Sequence, residues 1–189
     1  MSSALVLDLE TKKSFREVGN DYTKLGISMV GVYDYDLDAY ECYYEQDFPK
    51  LFHKLENAST VIGYNNRKFD FPVLAPYYIG NIENWPCLDL MEDVHAFLGY
   101  RVSLDSLVKE TLGLAKNGHG LLAIELYKNG ELDKLKEYCF NDVKVTKSLY
   151  EFGKKYGVVL FRDAKGPREI PVKWKDKKLE QAIPLTLGF

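Results

Sequence analysis

The feature that most constrains the fold is a short apolar run near the start of the sequence that turns acidic at its end. Residues 4–10 are Ala-Leu-Val-Leu-Asp-Leu-Glu. A continuous apolar run of this length predicts a central strand that is covered on both faces. Because side chains alternate along a strand, Asp8 and Glu10 should lie on the same face. We therefore expect a sheet with protein on both sides and two carboxylates at the end of its central strand.

The rest of the pattern predicts a hairpin followed by alternating strands and helices. Residues 24–33 and 39–44 alternate like the arms of a hairpin joined by the turn at 34–38. Further along, the spacing of apolar residues and breakers predicts a helix over 48–57, strands over 60–64 and 87–90, a helix from Ser103 to Gly113, and a long helix over 132–156. This order of elements predicts an α/β layered sheet.

The turn at 34–38 has a second interpretation. Asp34, Asp36, Asp38 and Glu45 occupy the first, third, fifth and twelfth places of an EF-hand calcium loop. The sixth place, where that loop needs glycine, holds Ala39. Since the flanks alternate like strands, the hairpin is favoured over a calcium site.

Length and charge indicate one main domain with a distinct C-terminal end. A chain of 189 residues, 46% of them hydrophobic, suits one compact core. The net charge of −3 is unevenly distributed: residues 151–189 carry nine Lys and Arg against five Asp and Glu, whereas residues 1–150 carry 16 against 23. We expect a domain over residues 1–156, able to hide a cluster of metal-binding carboxylates, and a C-terminal hairpin with a basic tail over residues 157–189.

The cysteines and the N-terminus bear on the compartment. Cys42, Cys87 and Cys139 have neither the spacing of a zinc site nor that of a disulfide framework. A reducing compartment, the cytoplasm, is therefore expected. No segment has the pattern of a signal peptide or reaches the roughly 20 apolar residues that cross a bilayer, so no membrane association is expected.

The long predicted helix carries a carboxylate on its buried stripe. Tyr138 and Asp142 lie one turn apart in the repeat that also contains Leu135, Val145 and Leu149. A buried charge needs a strong partner, so Asp142 should meet a cation, a set of backbone donors or a basic side chain. Taken singly, each acidic residue is ambiguous: Asp142 could cap a helix, Asp8 and Glu10 could face solvent, and Asp70 could start a helix.

Taken together, three motifs resemble those of a known family. They are Asp8-Leu9-Glu10-Thr11, Gly63-Tyr64-Asn65-Asn66 with Phe69-Asp70, and Tyr138-Cys139-Phe140-Asn141-Asp142. Over residues 4–152 the chain resembles the DEDD (DnaQ-like) superfamily of 3′-to-5′ exonucleases, most closely the exonuclease domain of family-B DNA polymerases. Glu137 stands where the histidine-bearing branch has its histidine, which favours the tyrosine-bearing branch.

This resemblance implies a fold and a reaction. The fold would be a ribonuclease-H-like mixed sheet of about five strands with helices on both faces. Asp8, Glu10, Asp70 and Asp142 would hold two divalent cations, and Tyr138 would orient the attacking water. Oxygen ligands favour Mg²⁺ or Mn²⁺ over zinc. Two such ions can activate water and stabilise the leaving oxygen of a phosphodiester.

The expected substrate is the 3′ end of a single-stranded nucleic acid, DNA rather than RNA. Thr11, Asn65 and Asn66 are predicted to contact it, although asparagines are equally typical of turns. An exoribonuclease and an inert nucleic-acid-binding module on the same fold remain alternatives. A separate polymerase or helicase could be a partner, and the sequence does not indicate an oligomeric state.

The remaining candidates are histidines and the basic tail. His119, between two glycines, could approach the scissile phosphate or be a solvated loop residue. His53 and His95 fall on predicted helices, where packing roles are expected. The segment 173–178 combines lysines with Trp174, a composition that suits either single-strand binding or a solvated tail.

Overall fold

A five-stranded mixed sheet forms the centre of the computed structural model, which describes residues 3–114 and 120–174. Its strands are β1 (Ala4–Thr11), β2 (Ile27–Asp34), β3 (Ala39–Tyr43), β4 (Thr60–Gly63) and β5 (Cys87–Asp89). The order across the sheet is β3-β2-β1-β4-β5. β1 pairs antiparallel with β2 and parallel with β4, and β5 continues the parallel side. The predicted α/β sheet, with β1 in its middle and an antiparallel hairpin beside it, is confirmed.

Helices cover both faces of this sheet, as expected. They are α1 (Phe15–Val18), α2 (Phe48–Glu56), α3 (Asp70–Leu74), α4 (Leu90–Leu98), α5 (Leu104–Leu112), α6 (Gly120–Lys128) and α7 (Leu132–Tyr156). On one face, α2 and α3 pack against the β1 side chains that include Leu7. On the other, α4, α5 and α7 pack around Val6. The alternation of β1 thus divides the core into two layers.

Local signals set the ends of the helices. Ser103 accepts a hydrogen bond of 3.2 Å from the backbone N–H of Ser106 and so caps α5. Gly113 ends the same helix with a φ of 67°, a left-handed conformation that glycine adopts without strain. The long helix also has the predicted bounds and ends at Gly157.

The turn at 34–38 joins β2 and β3, so it is not the loop of a helix–loop–helix calcium site. Asp34 is buried and accepts hydrogen bonds from the backbone N–H groups of Asp36 and Leu37. Its other carboxylate oxygen lies 2.6 Å from Nζ of Lys54. The acidic residue at the start of the turn therefore holds the turn closed.

A separate two-stranded sheet follows α7. It consists of β6 (Val158–Asp163) and β7 (Gly166–Pro171), and its inner side chains join the core around α7. Trp174 is only 1% exposed and packs on Gly153, where a Cβ would come within 2.2 Å of the indole ring. Trp174 is therefore a core residue and not a base-stacking platform, and the sequence-based suggestion was wrong on this point. Lys175, Lys177 and Lys178 lie outside the described residues, and the domain boundary at residue 156 stays a prediction.

His53 and His95 lie on α2 and α4 as predicted, but both are exposed, so their predicted packing roles were wrong. Cys42, Cys87 and Cys139 are free thiols. Among the helices of the described residues, none has the length and apolarity to cross a membrane.

Candidate active site

The candidate site lies where the parallel strands β1, β4 and β5 end. Asp8 and Glu10 are near the end of β1, on the face covered by α7. Glu10 is buried and Asp8 is half-buried. One carboxylate oxygen of each lies within 4.8 Å of the other and of Sγ of Cys139. The carboxyl ends of parallel strands are a common place for ligand sites in open α/β sheets, because the loops that follow them converge there.

A glycine on the neighbouring strand lets α7 come close to these carboxylates. Gly31 pairs with Asp8 across the sheet. A Cβ at Gly31 would lie 2.7 Å from Sγ of Cys139 and 3.0 Å from a methyl group of Val143. Since these contacts are shorter than van der Waals packing allows, only glycine leaves room for the helix at this depth.

α7 brings Tyr138 and Asp142 to this face, as the helical repeat predicts. Both are buried, with 8% and 5% of their surface exposed. Tyr138 packs with Met29, the residue that pairs with Glu10 across the sheet. Burial raises the pKa of the Cys139 thiol well above its ordinary value, and the nearby charges of Asp8, Glu10 and Asp142 raise it further. The acidic side chains of β1 and α7 therefore surround one neutral thiol.

Asp70 contacts the backbone of the same segment of β1. It is the first residue of α3 and is 2% exposed. Its Oδ1 accepts a hydrogen bond of 3.2 Å from the backbone N–H of Leu9, the residue between Asp8 and Glu10. Burial, with a further contribution from the charge of Asp89, raises the pKa of Asp70 from 3.8 to about 8. The neutral form of Asp70 is therefore favoured by its poorly solvated surroundings.

Asp89 is a site residue that the sequence analysis missed. This buried residue ends β5, and its carboxylate accepts three backbone hydrogen bonds: from Asn65 at 2.7 Å, and from Arg67 and Met91 at 3.1 Å each. It therefore fixes the loop that leads from β4 to Asp70 and also caps α4. The available signal was the segment Cys87-Leu88-Asp89, which repeats in shorter form the apolar-then-acidic pattern of β1.

The predicted substrate-contacting residues occupy different environments. Asn65 has a φ of 73°, and its side-chain oxygen accepts a hydrogen bond from Arg101. Asn66 is completely buried against Gly63, where a Cβ would overlap its amide at 2.0 Å. In this conformation the Asn66 side chain reaches no surface from which it could contact a substrate. Thr11 donates its hydroxyl hydrogen bond to the carbonyl of Lys13 at 2.9 Å.

A cleft of about 750 Å³ opens beside Glu10. Its walls are mainly apolar, formed by Phe15, Phe69, Leu121 and Ile124, with Lys13 and Arg16 as the cationic side chains. The rings of Phe15 and Phe69 are 5.9 Å apart and meet edge to face. A flat apolar group can therefore bind within reach of the carboxylates. His119, the other candidate near the reaction, lies outside the described residues.

A mixed five-stranded sheet with carboxylates converging at the end of its central strand defines a ribonuclease-H-like protein of the exonuclease type. In agreement, the family described as 3′-5′ exonuclease matches residues 2–154. The chain belongs to this family. A search of curated protein sequences found no match.

Two solved structures of similar fold are a DNA polymerase and an exonuclease. The family B DNA polymerase of the hyperthermophilic archaeon Pyrobaculum calidifontis superposes with a TM-score of 0.61 and 16% identity over 81% of this chain. Exonuclease I, solved with SSB and the inhibitor CFAM, superposes with a TM-score of 0.53 and 15% identity over 82% of it. This chain spans 24% of the polymerase and 42% of exonuclease I. At these identities, the superpositions establish the fold alone.

Proposed function

We propose that the chain is a metal-dependent 3′-to-5′ exonuclease that removes nucleotides from single-stranded DNA ends. The observation that carries this proposal is the hydrogen bond from the Leu9 amide to Asp70, because it brings a third carboxylate to the backbone segment that carries Asp8 and Glu10. Asp142 approaches the same cluster from α7. Membership in the 3′-5′ exonuclease family supports the same reaction.

The donor set fits hard divalent cations. Asp8, Glu10, Asp70 and Asp142 would hold two ions, Mg²⁺ or Mn²⁺, because these ions prefer carboxylate oxygens. Burial raises the pKa of Asp70, and a bound cation would offset the cost of ionising this carboxyl group. When bound, the ions would supply an acidified water and stabilise the leaving oxygen of the phosphodiester.

Tyr138 has a positioning role in this proposal. It lies one helical turn before Asp142, so the two side chains project toward the same face. A phenol has a reference pKa of about 10 and is protonated at neutral pH. Its hydroxyl group can therefore donate or accept a hydrogen bond to hold a water molecule in line with the phosphorus atom.

The cleft beside Glu10 suits the terminal nucleoside. Phe15, Phe69 and Leu121 offer apolar contact to a base, while Lys13 and Arg16 can attract phosphates. Its volume of about 750 Å³ falls in the range typical of small-ligand sites. This supports binding of one unpaired nucleotide, with the scissile phosphate toward Glu10. DNA is the proposed substrate because the structures of similar fold are a DNA polymerase and an exonuclease solved with SSB.

The proposal is tested with the purified chain, Mg²⁺ or Mn²⁺, and 5′-labelled single strands of DNA and RNA, separated by gel electrophoresis. From the DNA strand we expect a ladder of shortened products that still carry the 5′ label. A chelator, or the substitution Asp8→Ala, should prevent the formation of these products. A ladder from RNA alone would show an exoribonuclease. If all strands stay intact under all conditions, the chain is an inert nucleic-acid-binding module on this fold.

A further inference from the structure

Two exposed aromatic side chains lie at the end of α4. Phe97 and Tyr100 are 47% and 43% exposed, although large apolar side chains usually face the core. Arg101 follows Tyr100 directly, and Arg168 of β7 lies over the Phe97 ring at 5.9 Å. Exposed aromatics alternating with cations are typical of surfaces that bind single-stranded nucleic acid. We call Lys68, Phe97, Tyr100, Arg101 and Arg168 the aromatic track.

One end of the aromatic track adjoins the candidate active site. Arg101 donates a hydrogen bond to Asn65, in the loop that leads to Asp70. Asn65, Lys68 and Arg101 line a cavity of about 270 Å³ that also reaches Asp89. Phe69, the next residue after Lys68, lines the apolar cleft beside Glu10. The loop thus has the terminal-nucleotide cleft on one side and the aromatic track on the other.

The other end of the track reaches the C-terminal hairpin. The Tyr100 ring lies 6.4 Å from the ring of Phe161 on β6, and the two meet edge to face. This contact fixes the Tyr100 ring while nearly half of its surface stays exposed. The track therefore crosses from the loop after β4, over the end of α4, to the hairpin.

The carboxylates along this surface are mostly neutralised by other groups. Asp89 is buried and accepts three backbone hydrogen bonds, and Glu92 pairs with Arg67 at 3.3 Å. Asp163 pairs with Arg168 at 3.3 Å, so Arg168 contributes less to an external anion. Asp93 accepts a weak backbone hydrogen bond from Lys173. Lys68 and Arg101 have no carboxylate partner among the described ion pairs, so they can bind phosphates.

We propose that the aromatic track binds the part of the single strand that lies upstream of the 3′ end. This inference rests on the proposed exonuclease function and adds a second contact region to it. Tyr100 and Phe97 stack on bases, and Lys68 and Arg101 contact the phosphates between them. The track thereby holds a long strand while its last nucleotide occupies the cleft beside Glu10.

The test compares a long and a minimal substrate in the double variant Phe97→Ala/Tyr100→Ala. Binding of a fluorescent oligo-dT of about 12 nucleotides is followed by anisotropy with Ca²⁺ in place of Mg²⁺. Hydrolysis of thymidine 5′-(p-nitrophenyl phosphate), which can occupy only the terminal cleft, is followed by absorbance. We expect the dissociation constant of the oligonucleotide to rise roughly tenfold or more, and hydrolysis of the small ester to stay unchanged.

Tyr156→Ala provides the matched control, because Tyr156 is 56% exposed and its ring contacts Phe152 near the end of α7. This variant should bind like the unaltered chain. If the double variant and the unaltered chain bind the oligonucleotide with equal affinity, the aromatic track does not bind the strand, even if the chain is an active nuclease. A further outcome is that the unaltered chain hydrolyses neither substrate while the double variant still binds DNA more weakly than it does. That result would contradict the proposed exonuclease function but support DNA binding by the aromatic track. Thermal unfolding of both variants shows whether either loses its fold.

Discussion

Gly31 and Cys139 approach so closely that a single added methyl group would separate β2 from α7. A Cβ at residue 31 would lie 2.7 Å from Sγ of Cys139. Because Tyr138 and Asp142 lie on the same helix as Cys139, this contact sets how deep both side chains reach toward Asp8 and Glu10.

We therefore expect Gly31→Ala to weaken both stability and activity. Overpacking of a well-packed interface costs about 1–3 kcal/mol, and displacement of α7 should slow cleavage further. The free energy of unfolding is measured with urea and the rate with labelled DNA. Cys139→Ala in the Gly31→Ala background removes the closest contact and should restore part of both, although the Val143 methyl group remains at 3.0 Å. Full stability of Gly31→Ala alone would contradict this account.

Substitutions of Tyr138 and Asp142 should distinguish a residue that positions water from a residue that binds metal. Tyr138→Phe keeps the ring and removes only the hydroxyl group, so we expect cleavage to slow by roughly a hundredfold, in line with the loss of one positioning contact, while metal binding persists. Asp142→Asn removes the charge of a proposed metal ligand and should abolish both. Metal titration by calorimetry and single-turnover rates distinguish the two, and loss of metal binding in Tyr138→Phe would exclude a role limited to water.

The raised pKa of Asp70 predicts how stability depends on pH without metal. In the folded chain the carboxyl group keeps its proton up to about pH 8, whereas its ordinary pKa is 3.8. Between these values the folded state binds one proton more than the unfolded state. Its contribution to stability is therefore complete below about pH 4 and is lost as the pH rises toward 8, with a slope of at most about 1.4 kcal/mol per pH unit.

Urea unfolding in the presence of a chelator, from acid to mildly alkaline pH, measures this slope. Asp70→Asn cannot titrate and should flatten it. Added Mg²⁺ or Mn²⁺ should stabilise the original chain most at the alkaline end, where Asp70 is a carboxylate without a proton. An identical pH profile in the original chain and in Asp70→Asn would contradict the assignment of the slope to this residue.

The sequence predicted those parts of the site that depend on local periodicity. The alternation of β1 placed Asp8 and Glu10 on one face, and the helical repeat placed Tyr138 and Asp142 on one stripe. Asp89 was missed because only the short segment Cys87-Leu88-Asp89 marks it in the sequence, and two of its three backbone partners lie in a loop more than twenty residues away. Trp174 was misjudged for the same reason: nearby lysines suggested exposure, and its burial depends on Gly153 of α7.

Asp89 should therefore be a positioning residue whose loss disturbs Asp70. In Asp89→Asn, the remaining side-chain oxygen can still accept hydrogen bonds from the N–H groups of Asn65 and Met91. The new NH₂ group faces the N–H of Arg67, and two donors cannot form a hydrogen bond. Loss of a hydrogen bond to a charged acceptor costs about 1.5–3 kcal/mol. We expect lower stability and weaker metal binding, measured by urea unfolding and calorimetry. Asp93→Asn, one turn further along α4, is the control and should resemble the original chain in both.

Leu121 offers a test of the apolar cleft that does not disturb the core. It lines the cleft beside Glu10 and is 56% exposed, so its removal should change the melting temperature little. If a base packs against it, Leu121→Ala should weaken oligonucleotide affinity by roughly three- to tenfold, since burial of such a side chain is worth about 1.5–3 kcal/mol when complete. Leu37→Ala is the matched control, because Leu37 is 61% exposed in the hairpin turn between β2 and β3. Equal affinities of the two variants in anisotropy titrations would place the terminal nucleotide elsewhere.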